Sequence, residues 1–373
     1  MRVAIVHYWL LNMRGGEKVV EALCKLLPEA DIFTLFYDPE RVSPIIRSHK
    51  VTASFLNPLR RGYRSLLPLM PMALESLDLR GYDLVISSES GPAKGVILSS
   101  STYHICYCHT PMRYLWDLYP DYLHEWTSSR WKRGLMALFT HHLRMWDYTT
   151  ARGVDEFIAN SGNTQRRIWK TYRRGAQIIH PPVPVEQFYW RPAEDYFLVV
   201  SELVAYKRIE TAVRAFTKSG RRLVVVGTGP EYRRLRAMAG PNVEFQGRVT
   251  DAELKDLYAR SRALIVPGEE DFGMTPVEAL ASGKPVIALG RGGVLESVPG
   301  RSPFGGVFYA EPSEAALQEA LERLEGREDE VRSTELQKYA ASFSVGHFLD
   351  KMRRVLPPLT DTTAMVRAGT RFV

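Results

Sequence analysis

The sequence predicts an α/β protein of two successive doubly wound domains, and three observations carry that expectation. The chain has 373 residues, more than a single hydrophobic core of ordinary size accommodates. Short apolar runs bounded by turn residues alternate with amphipathic helical stretches, and the series occurs twice. Between the two series lies His180-Pro181-Pro182-Val183-Pro184, where three prolines in four positions break helices and suit a semi-rigid linker.

In the first series, residues 2–7, 83–87, 104–108 and 156–160 are apolar enough to be parallel strands covered on both faces. In the second, strands are expected at 196–201, 222–227, 243–246, 263–266 and 285–289, with helices at 209–217, 232–238, 252–261 and 276–282. After about Glu311 the pattern becomes helical and charged, with amphipathic runs at 313–324 and at 348–356, the latter stopped by Pro357-Pro358. The expected organisation is therefore a domain over 1–180, a linker over 181–195 and a second domain over 196–340. A helix over 341–357 should return to the first domain, followed by a tail over 358–373. No short internal repeat or heptad series is present, which excludes solenoids and coiled coils.

Hydrophobic residues make up 45% and charged residues 24%, an ordinary globular balance that excludes disorder as the main state. Three cysteines are too few for a disulfide scaffold, and Cys106 and Cys108 lack the second pair that a structural zinc site needs. A reducing compartment fits. No run of 18 apolar residues and no signal-peptide layout occurs, so a cytoplasmic location is expected. Residues 1–185 carry 23 Lys and Arg against 16 Asp and Glu, while residues 186–373 carry 26 of each. The whole net charge of +7 thus sits in the first half, which suggests that one domain meets an anionic surface such as phospholipid or nucleic acid.

The most informative segment is 267–287, Pro-Gly-Glu-Glu-Asp-Phe-Gly-Met-Thr-Pro-Val-Glu-Ala-Leu-Ala-Ser-Gly-Lys-Pro-Val-Ile. It follows a strand, passes through a loop and enters a helix for which Thr275 is a natural N-cap and Pro276 a natural first residue. Thr275-x-x-Glu278 reads as a capping box, a purely structural account of Glu278. The loop before it supports a functional account. Backbone N–H groups at Phe272, Gly273 and Met274, beside the positive end of a helix, suit a sugar hydroxyl or a phosphate oxygen. Glu270 and Glu278 flank the loop, and carboxylates match vicinal diols because each oxygen accepts from one hydroxyl.

The spacing Glu270-x7-Glu278, with Phe-Gly inside it and Glu-Ala-Leu-Ala-x-Gly-x-Pro-Val after it, resembles the signature of the family 4 retaining glycosyltransferases. That resemblance implies the GT-B fold, two facing Rossmann-like doubly wound domains with a cleft between them. It extends from Gly15-Gly16-Glu17 to Gly292-Gly293. The stretch Cys108-His109-Thr-Pro-Met-Arg-Tyr-Leu-Trp-Asp117 and the Pro-Val linker look like the branch that uses GDP-mannose in O-antigen and exopolysaccharide synthesis.

By this resemblance Glu270 holds hexose hydroxyls, Glu278 holds the ribose, and the loop from Phe272 through Gly273 and Met274 to Thr275 holds the sugar from below. Lys207, with Arg208 beside it, corresponds to the lysine that neutralises the donor diphosphate. Many relatives carry Arg five residues before that lysine, and this chain carries Glu202 instead. An acid does not stabilise a pyrophosphate, so the clamp depends on Lys207 with Arg208, or Glu202 points elsewhere. Gly227, in the turn Val226-Gly-Thr-Gly-Pro230, is either a nucleotide contact or a tight turn. Arg248 and Val249 fall where the family reads the base, and guanine and uracil both remain open there.

His109 follows the strand 104–108, at the edge where open α/β sheets place ligands. A lone histidine is as readily structural, and the resemblance is what sets this one against the donor sugar. Gly15 and Gly16, after the first strand and at a helix start, allow backbone N–H groups to approach a phosphate. Arg113 and Asp117 face the acceptor or form a surface pair with each other.

No Asp-x-Asp triplet occurs, so no cofactor and no metal are expected, and Lys207, Arg208 and the Gly15-Gly16 amides are the candidates for leaving-group charge. By family analogy a donor phosphate oxygen takes the acceptor proton while His109 orients the sugar. The expected partners are a nucleotide-sugar donor, with GDP-mannose favoured over UDP-sugars, and a lipid-linked glycan acceptor on the first domain. Segments 57–71 and 126–146 mix cations with large apolar groups, which suits peripheral attachment to an anionic inner membrane face or, equally, a core helix with a basic rim.

Three other readings are weaker. A dinucleotide-dependent oxidoreductase wants Gly-x-Gly-x-x-Gly directly after the first strand, where this chain offers only Gly15-Gly16. A nucleic-acid binder would place no acid pair near phosphates, and no nucleic acid is expected as a partner. A sugar-nucleotide binder without turnover rests on Glu202 alone.

Overall fold

A computed structural model describes residues 1–120 and 130–357, the side chains of 130–133 and 135 excepted. The chain divides into two compact units. One takes Met1–His180 and resumes at Phe348; the other takes Pro181–His347.

The first unit is built on a parallel sheet of seven strands. These are β1 (Val3–Leu10), β2 (Asp31–Tyr37), β3 (Val51–Ala53), β4 (Leu84–Glu89), β5 (Tyr103–Cys108), β6 (Glu156–Ala159) and β7 (Gln177–Ile178), in the order β3-β2-β1-β4-β5-β6-β7. Six strands form the second unit's parallel sheet. They are β8 (Phe197–Val200), β9 (Leu223–Val226), β10 (Val243–Gly247), β11 (Leu264–Val266), β12 (Val286–Leu289) and β13 (Gly306–Tyr309), in the order β10-β9-β8-β11-β12-β13. Both orders run outward in one direction, return to the centre and run outward in the other. Each sheet therefore has one topological switch point, β1/β4 and β8/β11, where the loops leaving two adjacent strands part and open a crevice at their C-terminal ends.

The strands are continuous apolar runs because helices cover both faces. Alternate residues of β1 enter different cores: Val3 and Ile5 pack with Val20 and Leu23 of the helix Gly15–Leu26, while Ala4 and Val6 pack with Phe33, Leu35 and Val85. Phe348 and Met352, on the helix Val345–Val355, lie in the first of these cores beside Ile179, which is how the chain's last described helix joins the first unit. Val183 is buried in a core of the second unit and bridges to Ser344, so the proline-rich stretch is packed structure there, with its N–H donating to the Phe343 carbonyl at 3.0 Å.

Within the first unit a charged cluster is fully enclosed. The Lys94 ammonium lies against the Asp147 carboxylate and 3.3 Å from Glu89, and none of the three side chains is more than 1% exposed. Trp116 Nε1 (2.8 Å) and the Tyr172 hydroxyl (2.9 Å) also donate to Asp147. Asp147 thus ties the helix Arg130–Thr150 to the segment after β5 and to the helix Gly162–Tyr172. Burial, the largest influence, pushes the Glu89 carboxyl up to about 7 against the pull of Lys94.

Candidate active site

In the second unit the site is assembled around β8/β11. The loop leaving β8 runs through Glu202 to Lys207, and the loop leaving β11 runs from Pro267 to Gly273. Three glycines allow close approach to the loop after β8, Gly227 and Gly229 from the turn after β9 and Gly268 from the loop after β11. A Cβ on Gly227 would stand 1.8 Å from the Ser201 carbonyl oxygen, one on Gly229 would stand 2.3 Å from that of Leu203, and one on Gly268 would stand 2.6 Å from that of Lys207. The neighbours are backbone atoms, so no rotamer change relieves the clash. Gly268→Ala should therefore displace Lys207, costing about 1–3 kcal/mol of stability, which a urea titration of the variant checks.

Lys207 Nζ then lies 2.5 Å from Glu270 Oε2, an ion pair that joins the two loops of the switch point. Burial works to lower the Lys207 pKa, but the Glu270 carboxylate, followed by Tyr206, outweighs it and holds the ammonium above its ordinary value. The second glycine pair of the motif supports the other side. Glu270 bridges to Gly292, Gly293 N–H donates to the Glu270 carbonyl at 2.8 Å, and Gly292 has φ +77° with its Cβ position 2.3 Å from that same oxygen.

The helix after the loop spans Met274–Ala281, and its N-cap is Gly273 at φ 93°, not Thr275. The expected capping box is absent for a physical reason: Glu278 is carried into the interior, 5% exposed, where its Oε2 accepts from the Tyr258 hydroxyl at 2.9 Å. The head of the helix, Gly273 and Met274, supplies amides with no acceptor one turn back. Phe272 is buried against Phe343, and Thr275 sits in the first turn, half-buried.

Arg208 does not accompany Lys207 onto Glu270. Its backbone is left-handed (φ 54°), and it is among the residues lining a cavity of about 460 Å³ with Arg214 and Arg234, whose charges are met by Glu210, Glu231 and Glu314. The carbonyl of Glu202 accepts from Val204 N–H and from the Ser201 hydroxyl, both at 3.0 Å. Gly227 (φ 137°) serves the close approach to Ser201, and its N–H donates to the Gly247 carbonyl. Arg248 is exposed and Val249 half-buried, both in the turn after β10.

In the first unit, His109 and Gly16 are brought together with three residues that sequence reading did not single out. A Cβ on Gly16 would lie 2.9 Å from the Tyr8 hydroxyl, 3.3 Å from His7 Cε1 and 3.5 Å from His109 Nε2. Gly15 and Gly16 open the helix Gly15–Leu26, and Glu17, 1% exposed, accepts from Arg14 N–H at 3.0 Å. Ser88 contacts both imidazoles, its carbonyl at 2.9 Å from His7 Nδ1 and its hydroxyl at 2.9 Å from His109 Nε2. His109 is further fixed by its N–H on the Glu89 carbonyl (2.7 Å) and by its own carbonyl, which accepts from Thr164 Oγ1 (3.1 Å). Asp117 pairs with Arg167 at 2.9 Å, not with Arg113, whose side chain is half-buried.

Burial, then the neighbouring His109, lowers His7 to about 3, and burial lowers His104 to about 4. Below 6.5, the ordinary value, an unfolded chain takes up protons that these folded rings refuse. Stability should fall with pH from 6.5 downward by up to about 1.4 kcal/mol per pH unit for each. Glu89 opposes this between 4.5 and about 7, since the folded chain binds its proton first. Urea midpoints of the wild type and of His7→Asn across pH 7 to 4.5 check the slope, which should be shallower in the variant by one proton.

With this geometry established, the comparisons with known proteins are specific. Residues 13–187 match the family described as Glycosyltransferase Family 4, and residues 186–342 match Glycosyl transferases group 1. The chain belongs to the family 4 glycosyltransferases of group 1. This glycosyltransferase is 27% identical over 203 residues to the O-antigen chain mannosyltransferase RfbU of Salmonella typhimurium, covering 51% of this chain and 54% of that one. It is 34% identical over 112 residues to a GDP-mannose-dependent alpha-mannosyltransferase of Corynebacterium glutamicum, 29% of this chain and 27% of the relative. These matches therefore span about half or less of the relatives' own lengths. The sucrose-phosphate synthase of Thermosynechococcus elongatus superposes with a TM-score of 0.72 at 18% identity, over 95% of this chain and 98% of that one. The shared architecture is GT-B, two Rossmann-like domains, as the sequence predicts.

Proposed function

We propose that this glycosyltransferase transfers mannose from GDP-mannose, with retention and without a metal, to a hydroxyl of a lipid-linked glycan in the synthesis of a cell-surface polysaccharide. The observation that carries the reading is the Lys207–Glu270 pair across β8/β11. A donor diphosphate competes with Glu270 for the Lys207 ammonium. Once Lys207 turns to the phosphates, the Glu270 carboxylate is free to accept from hexose hydroxyls. Glu278, buried and already holding one hydroxyl through Tyr258, accepts from the ribose.

Leaving-group charge falls on Lys207 and on the amides at the head of Met274–Ala281, donors commonly worth a few kcal/mol each when aimed at developing charge. Arg208 does not share the ion pair with Glu270, so it ranks behind Lys207. The acceptor proton passes to a donor phosphate oxygen on the attacked face, and His109 orients the sugar. GDP-mannose is preferred because two relatives are named as mannosyltransferases, one of them GDP-mannose-dependent; a UDP-sugar is the alternative.

For the acceptor side, the first unit exposes Phe55, Leu59, Leu69 and Met72 beside Arg60, Arg61 and Arg64, a mixture suited to an anionic bilayer surface. The helix Arg130–Thr150 buries Thr140, Leu143 and Asp147 while exposing Leu138 and Met145. Residues 126–129 of the expected membrane-facing stretch lie outside the described residues. Among the described residues no helix is long and apolar enough to cross a membrane. Incubation with GDP-mannose, UDP-glucose or ADP-glucose and a lipid-linked glycan extract, with and without EDTA, tests the reading. It predicts an α-configured mannolipid that forms in EDTA; transfer from UDP-glucose alone, an inverted product or loss of activity in EDTA would each contradict it.

A further inference from the structure

The two imidazoles at the C-terminal edge of the first sheet are arranged through a single residue. Ser88 is 0% exposed on β4, between β1 and β5. Its carbonyl faces His7 Nδ1 and its hydroxyl faces His109 Nε2, each at 2.9 Å. A carbonyl oxygen only accepts, so His7 carries its proton on Nδ1. His7 Nε2 is then a bare lone pair, buried and without a partner among the described residues.

The same logic fixes His109. The Ser88 hydroxyl has no other partner among the described residues, and a buried O–H left without an acceptor is more costly than one that donates. It therefore donates to His109 Nε2, which must be the unprotonated nitrogen, and the His109 proton sits on Nδ1. We propose that Ser88 is a positioning residue for His109, holding it as the neutral Nδ1–H tautomer so that the ring keeps one protonation pattern where it orients the sugar. For its catalytic consequence this inference rests on the function proposed above; the tautomer itself does not.

Protonating His109 would require the Ser88 hydroxyl to turn away and lose its acceptor. The titratable and charged groups around the pair are consistent with that neutral state. His7 and Tyr8 come from β1, Arg14 and Glu17 from the head of Gly15–Leu26, Glu89 from β4 through its carbonyl, Tyr107 from β5 and Arg167 from Gly162–Tyr172. Glu17, the one carboxylate beside Tyr8, is taken by Arg14 N–H. Ser87, one residue earlier and so on the opposite face of β4, holds His104 Nε2 at 2.9 Å in the same manner.

The test is a long-range ¹H–¹⁵N ring spectrum of the full chain with labelled histidine, His109 being assigned by its loss in His109→Gln. We expect both His7 and His109 as Nδ1–H tautomers from pH 8 to pH 6 in the wild type without donor. An Nε2–H signal for His109, or its ordinary titration in that range, overturns the proposal. In Ser88→Ala the His109 tautomer should become mixed and the acid limb of kcat/KM should move up by roughly half to one pH unit. kcat should fall about tenfold at unchanged donor KM, with recovery in Ser88→Thr. An unmoved acid limb in Ser88→Ala also overturns it. If the wild type shows the expected tautomers but transfers no sugar from any nucleotide, the proposed function fails and the tautomer assignment stands.

Discussion

Glu270→Gln should lower kcat about 10²- to 10³-fold, the scale of removing one preorganised polar group from a transition state, while donor affinity changes less than about tenfold. The split follows from the pair that Glu270 makes. In the free protein its carboxylate occupies Lys207 Nζ at 2.5 Å, so the neutral isostere releases the ammonium to the diphosphate even as it forfeits the grip on the hexose. A second consequence has a definite sign. Burial lowers the Lys207 pKa and Glu270 is the main influence raising it. Without the carboxylate, Lys207 should lose its proton at lower pH than in the wild type. Donor affinity in Glu270→Gln should then decline as pH rises through the alkaline range where the wild type is still flat. Pre-steady-state rates with donor titrations at pH 7 and 9.5 measure both effects.

Asp147→Ala should destabilise the chain by about 3–5 kcal/mol, the range for removing one member of a buried ion pair. Lys94 would keep only Glu89, at 3.3 Å, and Trp116 Nε1 and the Tyr172 hydroxyl would lose their acceptor. Desolvated charge, not the lost contact, dominates the cost. Lys94→Met combined with Asp147→Leu and Glu89→Gln, which removes all three buried charges, should accordingly recover much of the stability that a single change forfeits. Removing Arg80 from its exposed pair with Asp78 should leave the urea midpoint nearly unchanged, because exposed pairs contribute little.

Much of this was legible in the sequence because it depends on local pattern. Continuous apolar runs gave β1, β5, β9 and β12, and the helix Tyr232–Met238 falls on the expected residues. β2 begins at Asp31 and carries Thr34, and β13 begins at Gly306 among prolines and glycines; both acquire their strand character from neighbours far along the chain. The site divides the same way. Glu270 and Gly16 could be marked from local pattern, since loop, turn and helix start follow one another in sequence, and Lys207 from the family resemblance. His7, Ser88 and Tyr258 could not, because each acts through a partner separated by a crossover: 81 residues for His7 with Ser88, 20 for Tyr258 with Glu278. One local signal pointed the wrong way. Thr275-x-x-Glu278 has capping-box spacing, but the left-handed Gly273 starts the helix earlier and leaves Glu278 to a buried tyrosine. Adjacency of Lys207 and Arg208 likewise suggested one clamp, whereas Lys207 alone pairs with Glu270 and the backbone turns left-handed at Arg208.

Calorimetric titration of GDP-mannose into the wild type and Lys207→Met, in EDTA at neutral pH, is the most direct trial of the claim that the β8/β11 switch point grips the donor. Losing a charge-assisted contact to the diphosphate should weaken binding roughly 10- to 100-fold, with Arg208→Met weakening it far less. Equal affinity in wild type and Lys207→Met, or a larger loss in Arg208→Met, would show that the donor is held elsewhere.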